Sequence, residues 1–324
     1  MKKRLLQLFV LFFTSLLTIG VIEIFLIIKN KYIVNYDIEM WKYTKSLKIK
    51  STDPDIAHIH KKNKTAVLQK VDIKINNLGM RGRDIDDKEI HKFEHKILVL
   101  GSSIALGWGV EEEKTFSYLV EKKLNEQDRT SIVLNAGIGN YNTKRYVSNY
   151  FKNLSYLKPD EILVLFFVND TEILKNNYGN YFTKNFNFAV LLWKYFATLN
   201  ERINVNSIEN YYLEKYKDEY EGFIDTKKNL IKLHNHCIDQ NIKCTLILMP
   251  DINNFDDGNS NYYKLDFIND KMISFSKDIG LNYLDLLPFF EGMNNKNLLN
   301  KYNDPHPNEI GHQIIAEAII KYLR

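Results

Sequence analysis

The sequence KILVLGSSIALG, residues 96–107, decides the fold class of this chain. Its first five residues have the length and apolar, β-branched content of a buried strand, and a glycine-serine loop follows at once. Further strands of this kind are predicted at 131–134, 161–168, 243–249 and 282–287. Amphipathic helices are predicted between and after them, at 115–124, 143–157 and 308–323. This alternation predicts a three-layer α/β/α domain with a mainly parallel sheet, over residues 96–324.

The N-terminus carries a membrane signal. Three positive charges within residues 1–4 precede 24 mostly apolar residues, Leu5 to Ile28, which can cross a bilayer as a tilted helix. A cleaved signal peptide is the alternative, but this stretch exceeds the roughly 7 to 15 residues of a signal core. Glu23 is costly in hydrocarbon, although it can reach the interface. We predict a single transmembrane anchor over residues 1–30, with the bulk of the chain outside the cytoplasm.

Two other segments stand apart from the α/β/α pattern. Residues 31–95 form a predicted membrane-proximal segment with an edge strand at 71–75 and an ordered turn, NNLGMRGRD, at 76–84. An aromatic-rich insertion at about 171–223 interrupts the alternation of strands and helices. It is a lid, an extra packing layer or a surface that touches lipid, and packing is the commonest of these roles.

Composition excludes several classes of function. The chain has 324 residues, 45% hydrophobic and 26% charged, which is enough for one substantial core. Its net charge is only +4, without a basic stripe interleaved with aromatics, so nucleic acid is not an expected partner. Cys237 and Cys244 cannot form a disulfide framework, and they either pair once or stay buried. His234 and His236 beside Cys237 lie on a predicted helix with no distant ligand pair, so we expect no metal and no cofactor.

The loops after the predicted strands carry the groups that acyl transfer requires. A serine hydroxyl becomes nucleophilic when an imidazole removes its proton, and a carboxylate must orient that imidazole. Ser103, His306 and Asp304 can supply these three roles. An oxyanion needs hydrogen-bond donors, which the Ser103 N–H, the Gly139-Asn140 backbone and the Asn169 amide can provide.

These residues occur in blocks that resemble those of the SGNH/GDSL hydrolases, over about 96–324. Ser103, the Gly139-Asn140 turn, Asn169 and His306 stand at the matching positions. The stretch at 76–110 is also similar to a subgroup of membrane-anchored bacterial members. The resemblance implies a flavodoxin-like three-layer fold, a serine mechanism without metal, and hydrolysis or transfer of ester-linked acyl groups.

The sequence departs from the family pattern at three places. Ser102 replaces the aspartate of Gly-Asp-Ser, and Asn140 falls where the family has the donor glycine of its second block. The family acid stands three residues before the histidine, where this chain has Asn303, whereas Asp304 is two before His306. Prolines follow both Asp304 and His306 and favour extended backbone, so Asp304 reaches the imidazole only if the loop curves. We favour Asp304 over Asn303 as the partner.

Three functions are compatible with these observations. The leading one is an esterase that acts on a small-molecule or glycan ester, such as the O-acetyl groups of a glycan. An acyltransferase would use the same intermediate with a glycan hydroxyl as acceptor. The third is an inactive, membrane-tethered protein that binds or assembles glycans.

Overall fold

The computed structural model describes residues 2–86, 89–126, 130–176, 179–202, 207–256, 259–300 and 304–324. The chain divides into two compact units. The first consists of Met1–Lys45 and Asn177–Val205, and the second of Ser46–Asn176 and Asn206–Arg324. The insertion that the sequence suggests at about 171–223 therefore contributes to both.

The helices and strands are as follows. The helices are α1 (Lys2–Tyr32), α2 (Tyr36–Leu47), α3 (Ser103–Leu106), α4 (Phe116–Asn125), α5 (Thr143–Asn149), α6 (Tyr181–Asn185), α7 (Asn187–Arg202), α8 (Ile208–Lys215), α9 (Glu221–Asp239), α10 (Asp266–Ile279), α11 (Leu287–Phe290) and α12 (Glu309–Leu323). The strands are β1 (Lys48–Lys50), β2 (His58–His60), β3 (Lys64–Leu68), β4 (Val71–Ile75), β5 (His95–Gly101), β6 (Ser131–Asn135), β7 (Glu161–Phe167), β8 (Lys243–Met249), β9 (Phe255–Asp256), β10 (Asn259–Tyr263) and β11 (Asn282–Asp285).

The second unit is built on a five-stranded parallel sheet with the order β11-β8-β7-β5-β6. Read from the other edge, the order of its strands along the chain is 2-1-3-4-5, which is that of flavodoxin-like folds. α4 packs against α12, and α5 packs against α9. The apolar residues of β5, β7 and β8 are almost all buried, because helices cover both faces of a parallel sheet. The predicted fold class is confirmed.

One predicted helix differs in its detail. Regular α5 ends at Asn149, and the predicted remainder to Leu157 continues as a wider π turn and a 3-10 turn. Lys158 then adopts a left-handed conformation with φ of 47°. Pro159 follows, and a residue before proline is disfavoured in the helical region, so the helix has to end there.

The hairpin at residues 64–75 and the turn after it fasten the end of the sheet. β3 and β4 form an antiparallel hairpin, and the turn after it brings the Arg81 N–H to the Asn135 carbonyl at 3.0 Å. The buried Arg81 guanidinium donates to the carbonyls of Leu106, at 2.7 Å, and of Gly107 and Val110. The NNLGMRGRD turn thus holds the chain that follows α3.

The first unit contains α1, α2, α6 and α7. α1 is long and apolar enough to cross a membrane. A signal sequence near an N-terminus can have the same length and composition. In its most apolar 18-residue window no residue is buried within the protein.

Candidate active site

The candidate site lies where neighbouring parallel strands end. β5 ends at Gly101 and its neighbours β6 and β7 end at Asn135 and Phe167, so the three following loops share one edge of the sheet. Ser103 is the first residue of α3, a single helical turn. Gly107 closes that turn in the left-handed conformation, with φ of 75°, which favours glycine.

Ser103, His306 and Asp304 form a continuous chain of hydrogen bonds. His306 Nδ1 lies 2.6 Å from Asp304 Oδ1, and His306 Nε2 lies 2.7 Å from Ser103 Oγ. A carboxylate can only accept, so Nδ1 carries the imidazole proton. Nε2 is then the acceptor for the Ser103 hydroxyl. This geometry allows the imidazole to accept a proton from Ser103.

Asp304 is fixed from two directions. Its Oδ1 accepts the His306 backbone N–H at 3.0 Å, and its Oδ2 accepts the indole N–H of the fully buried Trp108 at 2.9 Å. The first contact curves the loop, so that a carboxylate only two residues before the histidine reaches its ring. Trp108 lies 196 positions before Asp304 in the chain, so no local sequence pattern predicts this contact. Asn303, the alternative partner, lies outside the described residues.

The histidine loop is fastened on both sides of the site. Asn300 donates twice, from its backbone to the His306 carbonyl and from its side chain to the Trp108 carbonyl, both at 2.9 Å. After the loop, the Asn308 side chain caps α12 by accepting the N–H groups of Ile310 and Gly311. The imidazole is thus held by backbone contacts as well as by Asp304.

The predicted oxyanion donors lie on the three adjoining loops. The Ser103 N–H is at the start of α3, where backbone N–H groups lack helical acceptors. The loop after β6 packs directly on α3, since a Cβ on Gly137 would stand 2.3 Å from the Leu106 nitrogen. Within the described residues we find no acceptor for the Asn140 N–H or for the Asn169 side-chain amide. Both groups therefore keep their donor capacity.

Two buried basic residues hold the Gly139-Asn140 turn, and the sequence analysis missed both. Lys48 Nζ donates to the Gly139 carbonyl at 2.6 Å, and His58 Nε2 donates to the same oxygen at 3.0 Å. Burial, with Arg145 nearby, holds the Lys48 pKa well below its usual value. Burial and then Lys48 lower the pKa of His58. These residues fix the peptide whose other end is the Asn140 N–H, at a residue with φ of 64°.

Three other titratable residues, His312, Asp170 and His236, pack among or bond to neighbouring side chains. His312 is fully buried, stacks on Phe116 and accepts its N–H at 3.2 Å, and burial lowers the His312 pKa to about 3. Buried Asp170 accepts from the Tyr146 hydroxyl at 3.0 Å, and burial raises the Asp170 pKa well above its usual value. On α9, His236 contacts the Tyr150 hydroxyl. In the described part of the chain no group of three or more His, Cys, Asp or Glu residues could hold a metal ion.

Comparison with known proteins identifies a sequence family. A model described as the GDSL-like Lipase/Acylhydrolase family matches residues 99–314. Among solved structures the chain is similar to the acetyl xylan esterase AlAXEase, at 17% identity and a TM-score of 0.47 over 71% of this chain and 100% of that one. It is also similar to the acetylxylan esterase Axe2 from Geobacillus stearothermophilus, at 16% identity and a TM-score of 0.46 over 71% and 94%. A search of curated proteins found no match.

Proposed function

The chain belongs to the GDSL-like lipase/acylhydrolase family, whose members hydrolyse ester bonds, and we propose that it does so with Ser103 as nucleophile, His306 as base and Asp304 as its carboxylate partner. The observation that carries this proposal is the hydrogen-bond chain from Ser103 Oγ through His306 to Asp304, with links of 2.7 and 2.6 Å. Both distances are within the reach that proton transfer requires.

In the first half-reaction Ser103 Oγ attacks the ester carbonyl while its proton passes to His306 Nε2. Asp304 stabilises the imidazolium that results. The tetrahedral intermediate collapses as its C–O bond breaks, and the leaving alcohol takes the proton from Nε2. In the second half-reaction water gives a proton to Nε2 and attacks the acyl-serine, after which the proton returns to Ser103 and the free acid leaves.

The oxyanion of each tetrahedral intermediate accepts hydrogen bonds from three donors in this proposal. They are the Ser103 N–H, the Asn140 N–H at the Gly139-Asn140 turn, and the Asn169 side-chain amide. Two observations support this assignment: the three loops share one sheet edge, and the Asn140 and Asn169 donors are not engaged by other described residues. Removing one such donor typically costs about 100- to 1,000-fold in rate.

The substrate in this proposal is a short acyl group on a hydroxyl of a glycan, such as an O-acetyl group. The amide side chains of Asn140, which is exposed, and Asn169, which is partly exposed, suit an alcohol with several hydroxyls. We further propose that α1 is a permanent anchor that leaves the rest of the chain outside the cytoplasm. Its stretch of 24 mostly apolar residues, longer than a signal core, supports retention in the membrane.

The test is labelling of the full chain in detergent with a fluorophosphonate, followed by mass spectrometry of the modified peptide. We expect modification at Ser103 that is lost in Ser103→Ala and in His306→Ala. Ser102→Ala is a matched control, since the buried Ser102 precedes the nucleophile and should not be needed for labelling. Absence of labelling in a folded wild-type protein would favour the inactive binding protein.

Product analysis then separates hydrolysis from transfer. The enzyme is incubated with an acetylated oligosaccharide, with and without an unacetylated glycan acceptor. Hydrolysis predicts free acetate in both reactions and an unmodified acceptor. An acylated acceptor would instead identify an acyltransferase that uses the same serine.

A further inference from the structure

A charged residue on α1 contacts the start of another helix. Glu23 Oε1 accepts the Asn187 N–H and Glu23 Oε2 accepts the Phe188 N–H, both at 2.8 Å. Asn187 and Phe188 are the first two residues of α7, where N–H groups lack helical acceptors and an anion is favoured. The Glu23 carboxylate therefore caps the N-terminus of α7, although Glu23 lies 164 residues earlier in the chain.

This contact fixes the depth of α7 relative to the apolar stretch of α1. Glu23 lies five residues before Ile28, the last residue of that stretch, which corresponds to about 7.5 Å along the helix. The whole stretch of 24 residues is about 36 Å long, slightly more than the roughly 30 Å of a hydrocarbon core. When α1 spans a bilayer, Glu23 and the first turn of α7 lie at or just inside one boundary of the hydrocarbon.

The exposed surface of α6 and α7 has the composition that such a position requires. On α7, Leu192, Tyr195 and Phe196 share one face and are 44 to 59% exposed. Before α7, Tyr181, Phe182 and Phe186 contact one another through their rings and are also exposed. Aromatic side chains are enriched where membranes meet water, and water-soluble surfaces seldom expose so many together.

The opposite side of α7 packs against other helices of the first unit. Val190 on α7 is buried, and Trp193 packs edge-on against Trp41 of α2 at 5.5 Å between ring centroids. At the end of α1, the buried Asn30 donates to Glu39 of α2 at 2.8 Å. The unit therefore has a packed interior, and large apolar side chains of α1, α6 and α7 are exposed at its surface.

We propose that α6 and α7 form a second membrane-contacting element, which lies in the leaflet where α1 ends and buries its aromatic face among lipids. This inference rests on the proposed anchoring by α1. It assigns the aromatic part of the insertion to lipid contact, in place of the packing layer that sequence alone favours. Glu23 is then retained in the apolar helix because it joins the two membrane elements.

Spin-label accessibility in the full chain, reconstituted in phosphatidylcholine and phosphatidylglycerol vesicles, tests the proposal. Single substitutions Phe196→Cys on α7, Phe25→Cys on α1 and Tyr156→Cys in the second unit place labels at three exposed positions. Wild type gives the background, since both native thiols are buried. We expect oxygen, which partitions into lipid, to relax the labels at 196 and 25 more than a water-soluble nickel complex does, and the reverse at 156.

The outcomes distinguish the proposal from the anchor on which it rests. Lipid exposure at 25 with water exposure at 196 overturns the second element and leaves the anchor intact. Water exposure at both positions removes the anchor and the proposal together. Protection of 196 from both relaxing agents identifies a protein contact, such as a second copy of this chain, and also overturns it.

A second variant tests the role of Glu23. Adding Glu23→Ala to Phe196→Cys removes the cap of α7, and we expect the label at 196 to become more accessible to the nickel complex. Ser15→Ala is the matched control, because the Ser15 hydroxyl donates to the Leu11 carbonyl within the same helix. Equal effects of the two substitutions would overturn the coupling of α7 to Glu23.

Discussion

Lys48→Met is expected to slow catalysis without unfolding the protein. Lys48 is 6% exposed and its ammonium group contacts the Gly139 carbonyl, in the peptide that supplies the proposed Asn140 donor. Methionine preserves the unbranched shape of the side chain and removes the ammonium group, with its hydrogen bond to Gly139 and its charge. Since burial already lowers the Lys48 pKa, the folded state gains little from this charge, and the free energy of unfolding should fall by no more than the lost hydrogen bond contributes, about 1.5 to 3 kcal/mol.

The size of the effect follows from the contacts of Gly139. Loss of a complete oxyanion donor costs about 100- to 1,000-fold, on the order of 3 to 4 kcal/mol, which is the upper limit for any residue that acts through the donor. In Lys48→Met the Gly139 carbonyl retains His58, at 3.0 Å. Losing one hydrogen bond from a charged group costs about 1.5 to 3 kcal/mol, so we expect kcat to fall about 10- to 100-fold. KM should change little, because the donor acts on the transition state.

Steady-state hydrolysis of p-nitrophenyl acetate by the full chain provides the measurement. Lys50→Met is a matched control on the same short strand, β1, where Lys50 is exposed. The double variant Lys48→Met with His58→Phe should approach the limit of about 100- to 1,000-fold. If Lys48→Met retains the kcat of Lys50→Met, the proposed role of the Gly139-Asn140 turn is refuted. A KM effect alone would place Lys48 in substrate binding instead.

Three further outcomes are expected. Asp304→Asn should lower kcat about 10,000-fold in a protein that still folds, and a loss below tenfold would exclude Asp304 as the partner of the base. Trp108→Phe removes the indole donor to Asp304 and should lower kcat/KM about 10- to 100-fold, whereas an unchanged value would show that this bond does not support catalysis. Burial lowers the pKa of His60 and of His312 to about 3, so the unfolded chain binds protons that the folded chain does not as pH falls from about 6.5 toward 3. In urea unfolding experiments the free energy of unfolding should fall as the pH falls over this range. His60→Gln should reduce the pH dependence of this free energy by up to about 1.4 kcal/mol per pH unit. An identical dependence in the variant would contradict the assignment of His60.

The sheet could be predicted because its strands are buried on both faces. Such strands are continuous apolar runs, as at 161–167 and 243–249, and their signal is local. The placement of Ser103, Asn169 and His306, each after its own strand, likewise needs only the sequence, and their catalytic roles stay predictions. The curvature that brings Asp304 to His306 could not be predicted, because it depends on Trp108 and Asn300 as well as on the loop itself.

The sequence alone could not predict the roles of isolated charged residues. Lys48 lies in a polar segment and Glu23 in an apolar helix, and local pattern marks the first as surface and the second as a cost. Each contacts backbone groups far along the chain, Lys48 at a distance of 91 residues and Glu23 at 164. A loop carbonyl or a helix N-terminus leaves no trace in composition, so only the fold reveals what the charge binds. A charge that opposes its local pattern is therefore a useful indicator of where distant segments of this chain are joined.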